Sequence, residues 1–166
     1  MHTGPQGAAM QAVKELAIGW KNDRDTLFII KTLALSYRKP NVQQIALQTL
    51  ARYWKDEPST LLIIKKCAQS NESYFGVRSE AITELACIWK NKNKLFDFLC
   101  DRAVNDPFLR KHFSNRNPRK RAIQAILENY PNHSKTLPLL RDRAKNDPDE
   151  QLREFAQKKL QEWNQK

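Results

Sequence analysis

The chain has 166 residues, enough for one buried core or for a row of small units sharing one, and too few for a second independent domain beside it. Its 40% hydrophobic and 28% charged residues are those of a globular chain, and with only 4 glycines few positions are marked for tight turns, so helices are favoured. The 29 Lys and Arg against 18 Asp and Glu give a net charge of +11. No apolar run reaches the roughly 18 residues of a membrane span and the amino terminus lacks a signal peptide's apolar centre, which leads us to expect a soluble, cytoplasmic chain with no membrane partner.

Residues 1–7, MHTGPQG, carry no periodicity and are expected to lie outside the fold, as a vector remnant or a disordered leader. A first helix is predicted near 8–20. Its sequence, AAMQAVKELAIGW, is apolar around most of its circumference, and such a helix expects neighbours on two sides. A second helix near 26–36 follows. The next pair, near 42–54 and 60–70, repeats the first, because YWKDEPSTLLIIKKCAQS at 53–70 is a near twin of GWKNDRDTLFIIKTLALS at 19–36. Further pairs follow near 77–89 and 95–105 and near 118–130 and 136–146, and a last helix near 151–163 closes the row.

The register of the repeat is set by an alanine, an apolar residue four later and an aromatic four after that. It occurs as Ala12, Leu16, Trp20; Ala46, Leu50, Trp54; Ala81, Leu85, Trp89; Ala122, Ile126, Tyr130; and, one place short, Ala156, Leu160, Trp163. The alanines step by 34, 35, 41 and 34 residues, and the spacing of four and eight puts each set on one helical stripe. The second helices, LFIIKTLA, LLIIKKCA, FDFLCDRA and LPLLRDRA, align without a gap and end in Ala34, Ala68, Ala103 and Ala144. Thr26, Thr60 and Thr136 are predicted as amino-terminal caps. Cys67, Cys87 and Cys100 match no zinc spacing and are predicted as reduced core thiols.

A unit of this kind cannot bury its apolar face alone, so the copies are expected to stack into an all-α solenoid, an α-α superhelix of about four hairpins plus a carboxy-terminal capping helix. The repeats fall at about 8–37, 42–70, 77–106 and 118–147, with the cap at 151–166. The last helix has the stripe Leu152, Phe155, Ala156, Leu160 and Trp163 on a charged cylinder, as a cap should.

At these residues the sequence resembles HEAT repeats. The carriers are Arg78, Arg119 and Arg153, three before the alanine, and the NDP turns at Asp106 and Asp147; Ala9 and Gln43 stand in the arginine place of the first two copies. The resemblance implies that turn aspartate and arginine pair between neighbours. From Ala8 onward, and most closely over Tyr130–Trp163 together with the GWK and YWK turns, the wording resembles the carboxy-terminal repeats of bacterial, best cyanobacterial, NACHT-domain proteins, NLR-like signalling ATPases. This implies a sensing or autoinhibitory role for the array, with the activity upstream. The chain carries no Gly-rich phosphate loop ending in Lys-Ser/Thr, so no ATPase site is expected in it.

One gap between repeats is longer than the others. From second-helix alanine to next first-helix alanine the distances are 12, 13, 19 and 12 residues, which places an insertion at about 107–117. Around it stand Arg110, Lys111, Arg116, Lys120 and Arg121, with His112 and Phe113 among them. These seven are the candidate partner-binding residues; beside a purely solvated or structural role, which such a segment also fits, they suit an acidic protein surface or an adjoining domain first and a nucleic-acid backbone second. A second candidate, weighed against a merely solvated face, is a ladder of cations on the inner helices: Lys31, Lys65 and Arg141 share one place in the repeat, Arg102 and Arg143 another, with Lys66 beside them, and pairing with Asp101 and Asp142 between them is expected to neutralise part of it. No catalytic residue, cofactor or metal site is expected, since His2, His112 and His133 have no paired acid or thiol at a telling spacing. The leading expectation is a non-catalytic protein-interaction module that regulates an upstream ATPase. A nucleic-acid-binding solenoid is the alternative, and an enzyme built on such an array, a DNA glycosylase or a bilin lyase, comes third.

Overall fold

The computed structural model describes residues 5–36 and 38–165. Among them nine helices form and no strand: α1 Pro5–Gly19, α2 Arg24–Leu35, α3 Pro40–Tyr53, α4 Pro58–Gln69, α5 Phe75–Ile88, α6 Leu95–Asn105, α7 Pro118–Asn129, α8 Thr136–Asn146 and α9 Glu150–Asn164. The predicted elements recur within three residues at every end. The odd-numbered helices α1, α3, α5 and α7 stack side by side, and each even-numbered helix packs most extensively on the odd helix that follows it, α8 on α9 included. The architecture is an α-α superhelix.

Local chemistry explains where the helices start. Pro40, Pro58 and Pro118 occupy the first turn of α3, α4 and α7, where a fixed φ is already helical and the missing N–H has no intrahelical partner to lose. Asp23 caps α2 by accepting from the Asp25 amide at 3.0 Å, and Asn117 caps α7 by accepting from the Arg119 amide at 2.9 Å. The threonines are not caps. Thr26 and Thr60 lie inside α2 and α4, because Asp23 and Pro58 start those helices earlier, and all three threonines are buried; the Thr136 hydroxyl donates back to the Tyr130 carbonyl at 2.7 Å. Of the leader, Pro5, Gln6 and Gly7 belong to α1, contrary to expectation, since proline opens the helix; residues 1–4 lie outside the described residues.

The repeat stripe makes the core. Ala46, Leu50, Ala81, Leu85, Ala122, Ile126 and Ala156 are buried, as are Ile30, Ile64, Leu99 and Leu140, which share one register place in α2, α4, α6 and α8. Ala34, Ala68, Ala103 and Ala144 are buried where helices meet. The first copy departs from this: Ala12 is exposed, Leu16 half-buried and Trp20 59% exposed, while the adjacent stripe of α1, Val13 and Ala17, is the one that packs inward. The aromatic place works as a cap on the preceding unit. The Trp54 indole N–H donates to the Lys21 carbonyl at 3.2 Å, and the Tyr130 hydroxyl donates to the Lys90 carbonyl, so each reaches the residue after the previous copy's tryptophan.

The arginine place is also filled as a rung. Arg78 grips Asp106 through Nε at 2.7 Å and Nη2 at 2.9 Å while Nη1 donates to the Ser73 carbonyl. Arg119 grips Asp147 through Nε at 2.9 Å and Nη2 at 3.0 Å, and its Nη1 donates to the carbonyls of Asp106 and Phe108. Each guanidinium thus ties the turn before its repeat to the turn after it. Arg153 keeps only the first half, donating to the Asp147 carbonyl at 2.7 Å. In the second copy the Gln43 amide donates to the Ala34 carbonyl at 2.9 Å, a neutral version of the same tie.

Candidate interaction surface

The insertion is a folded loop, built inward from Asp149. That carboxylate is buried and accepts from Arg110 Nε at 2.8 Å, Arg110 Nη2 at 2.7 Å and Asn117 Nδ2 at 2.5 Å. Burial by itself would raise the Asp149 carboxyl, but the hydrogen bonds from Arg110 and Asn117 and the arginine charge outweigh it and hold it below its ordinary value. The third guanidinium nitrogen of Arg110 donates to the carbonyls of Phe113 at 2.9 Å and Asn115 at 2.8 Å. The Asn115 side chain in turn accepts from the amides of His112 at 3.0 Å and Lys111 at 3.3 Å. Beneath the loop Phe108 is buried, edge-on to Phe75 at 5.4 Å between ring centroids, with the Arg110 and Arg119 guanidinium groups at 5.4 and 6.0 Å from its ring. The loop therefore has its inner charge paired and several of its backbone carbonyls and amides bonded.

What it displays is different from what its composition promised. Of the seven candidate residues, Arg110 is the internal clasp, Lys120 places its ammonium 4.8 Å over the Phe155 ring, and Arg121 donates to the Thr83 hydroxyl at 2.9 Å and pairs with Glu128 at 3.3 Å. Lys111, His112, Phe113 and Arg116 are left exposed. Phe113, 86% exposed, and Leu109, 76% exposed, are the two most exposed large hydrophobic residues among those described. Leu109 and Asp149 were not singled out from sequence. The one available signal was that the turn NDPDE carries a second acid where the aligned turn NDPFL does not.

The ladder is broken by burial. Arg102 and Arg143 are buried; Arg102 bonds the adjacent Asp101, and Arg143 bonds Asp142 and reaches Asp147 at 3.4 Å, so neither presents an open charge. The Asp101 and Asp142 carboxyls are lowered chiefly by hydrogen bonds from Asn105 and Asn146 four residues on, with the arginines adding to the shift. Lys31 pairs with Glu57 at 3.1 Å, and Lys65 lies 5.7 Å from the Phe98 ring centroid. Lys66 and Arg141 remain exposed, on α4 and α8, separated by α6, where Cys100 fills the place of Lys65. The six residues do not form a continuous stripe of open charge.

The remaining groups of chemical interest are mostly structural. His133 stacks on Phe96 at 3.6 Å between ring centroids, and its Nδ1 accepts from the Lys135 amide at 3.3 Å, so it fixes the α7–α8 turn. Burial raises the Cys67 and Cys100 thiols to about 11; Cys87 is exposed, against the expectation that all three cysteines are core, because its place on α5 turns away from the stack. Burial first, then the neighbouring Glu80 carboxylate, raises Glu84 on α5 to about 7. No group of three His, Cys, Asp or Glu side chains that could hold a metal ion forms among the described residues, and no described helix is long and apolar enough to cross a membrane. No family model, no curated protein sequence and no solved structure matches the chain.

Proposed function

We propose that the chain is a non-catalytic regulatory module, a HEAT-like array that binds protein and serves as the carboxy-terminal sensor or autoinhibitory part of a larger NACHT-type signalling ATPase. The observation that carries this reading is the outer face of α1. Ala12 is exposed where Ala46, Ala81 and Ala122 are fully buried, Leu16 on the same stripe is half-buried where Leu50 and Leu85 are fully buried, and Trp20, just past the helix end, stands 59% exposed. A repeat face of that composition is what a further helical layer covers, and leaving it in water is unfavourable by about 25 cal/mol per Å² of apolar surface. The NACHT resemblance supplies the identity of what adjoins it.

The test is the complete reading frame and its ATP hydrolysis. An upstream phosphate-loop domain should be present, and deleting this array should raise basal hydrolysis or shift the protein toward its oligomer. A frame without a phosphate loop, or a hydrolysis rate and oligomeric state indifferent to the deletion, refutes the reading. The nucleic-acid alternative rests on the +11 charge and on the unpaired Lys111 and Arg116. It requires sub-micromolar, sequence-dependent binding, with the slope of log affinity against log salt flattening by about 0.7 to 0.9 for each phosphate contact removed.

A further inference from the structure

We propose that the cleft between the insertion loop and the α8–α9 turn is a docking site for an acidic peptide segment that carries a bulky apolar side chain. The cleft has a volume of about 500 Å³, room for one or two large side chains, and Leu109, Phe113 and Pro148 are among its lining residues, with Lys111 and His112 beside them. Its loop wall is held in shape by the Arg110–Asp149 clasp and the Asn115 bonds to the loop backbone, so a ligand meets a preformed surface and little ordering entropy opposes binding. Holding the two most exposed large apolar side chains of the described residues on a loop braced by an internal ion pair and by side-chain bonds to its backbone is the arrangement of a binding anchor.

Charge selects the occupant. Arg110 is neutralised by Asp149, which leaves Lys111 in the cleft wall and Arg116 on the same loop without an ion pair, opposed in the cleft by Glu150 alone, since Asp149 is spent on the clasp. A second copy of a chain with net charge +11 is repelled from this loop. A nucleic-acid strand finds one exposed aromatic there, where strands bound in extended form use several in succession. This inference stands independently of the ATPase reading, since it concerns a surface that the chain carries whatever adjoins it.

The test uses the chain as it is and a phage-displayed library of random peptides, followed by titration of the enriched sequence as a synthetic peptide. Enriched peptides should combine Asp or Glu with Leu, Ile, Phe or Trp. Phe113→Ala should weaken the synthetic peptide by roughly tenfold or more, as loss of an aromatic anchor does, and the double change Lys111→Glu, Arg116→Glu should do the same. All three positions are exposed, so each variant should retain the parent's helical content and melting temperature. Three results overturn the proposal: no enrichment over the Phe113→Ala chain as counter-target, peptides that bind both variants as they bind the parent, or a single-stranded oligonucleotide that displaces the peptide and binds more tightly than it does.

Discussion

Replacing Asp147 with alanine isolates the energetics of a rung. In the folded protein this carboxylate is 1% exposed and accepts from Arg119 Nε at 2.9 Å and Nη2 at 3.0 Å, from Arg143 Nη1 at 3.4 Å and from the Asp149 amide at 2.9 Å. Asp147→Ala leaves the Arg119 guanidinium, 3% exposed, with two donors unpaired and its charge uncompensated; Nη1 alone keeps the Asp106 and Phe108 carbonyls. Breaking one side of a buried pair costs about 3–5 kcal/mol, because the stranded ion still bears its desolvation penalty. For a chain of this size each kcal/mol moves the melting temperature by roughly 2–4 °C, so a fall of about 6–20 °C is expected in a melt followed by far-ultraviolet circular dichroism. Arg119→Met should lose a similar amount, and the double variant should lose clearly less than the sum, since no buried ion is then left alone. Asp142→Ala provides the comparison: that acid is partly exposed and its loss should shift the melt by less than about 1 kcal/mol. A melting temperature for Asp147→Ala within about 2 °C of the parent would show that Arg119 relaxes into water and that the rung does not hold the turns together.

Leu85→Ala, at a fully buried place in the stripe, should destabilise by roughly 2–5 kcal/mol in urea titration, and a loss under about 1 kcal/mol would mean that the stripe is not core. Asp149→Ala should release the insertion, seen as faster hydrogen exchange at the loop amides, and unchanged exchange there would refute the clasp. The depressed folded-state pKa of Asp149 means that its stabilisation is present at neutral pH and is lost as pH falls through that value, so the protection of the same amides, measured against an unstructured peptide at the same pH, should fall in acid. Glu84 runs the other way: its folded pKa, raised to about 7, makes the protonated form the favoured one, so its contribution is full in acid and is lost as pH rises through about 7. Glu84→Gln should remove that component of the pH dependence of the melt, and a profile identical to the parent's would refute it. Lys94 holds φ at 67° at the start of α6, in the left-handed region, and Lys94→Gly should raise stability by up to about 1 kcal/mol, read as a higher urea midpoint.

The helices, their register and the buried alanine, leucine and isoleucine places were legible in the chain because they follow from short-range spacing. A stripe at four and eight residues fixes which face of a helix is apolar whatever the fold does with it. The pairing of Arg78 with Asp106 and of Arg119 with Asp147 was legible through the HEAT resemblance, at separations of 28 residues. The edges of elements were less so: Thr26 and Thr60 read as caps, yet Asp23 and Pro58 begin the helices earlier, and both choices are chemically sound until the fold places the threonines inside.

The fate of the remaining cations was legible only in part. Arg110 and Lys111 are neighbours of like charge, but one is clasped by Asp149, 39 residues away in sequence, and the other stands in water. Arg102 and Arg143 share a register place with one another, and the neighbouring Asp101 and Asp142 pointed to some pairing, yet nothing in the spacing showed that both arginines would be buried. A basic residue's availability depends on which acceptor the folded chain brings within about 3 Å of it, a long-range property that local periodicity does not encode. The same holds for Phe113 and Leu109: composition makes them apolar, and it is the stack of α7, α8 and α9 around their loop that leaves them facing solvent.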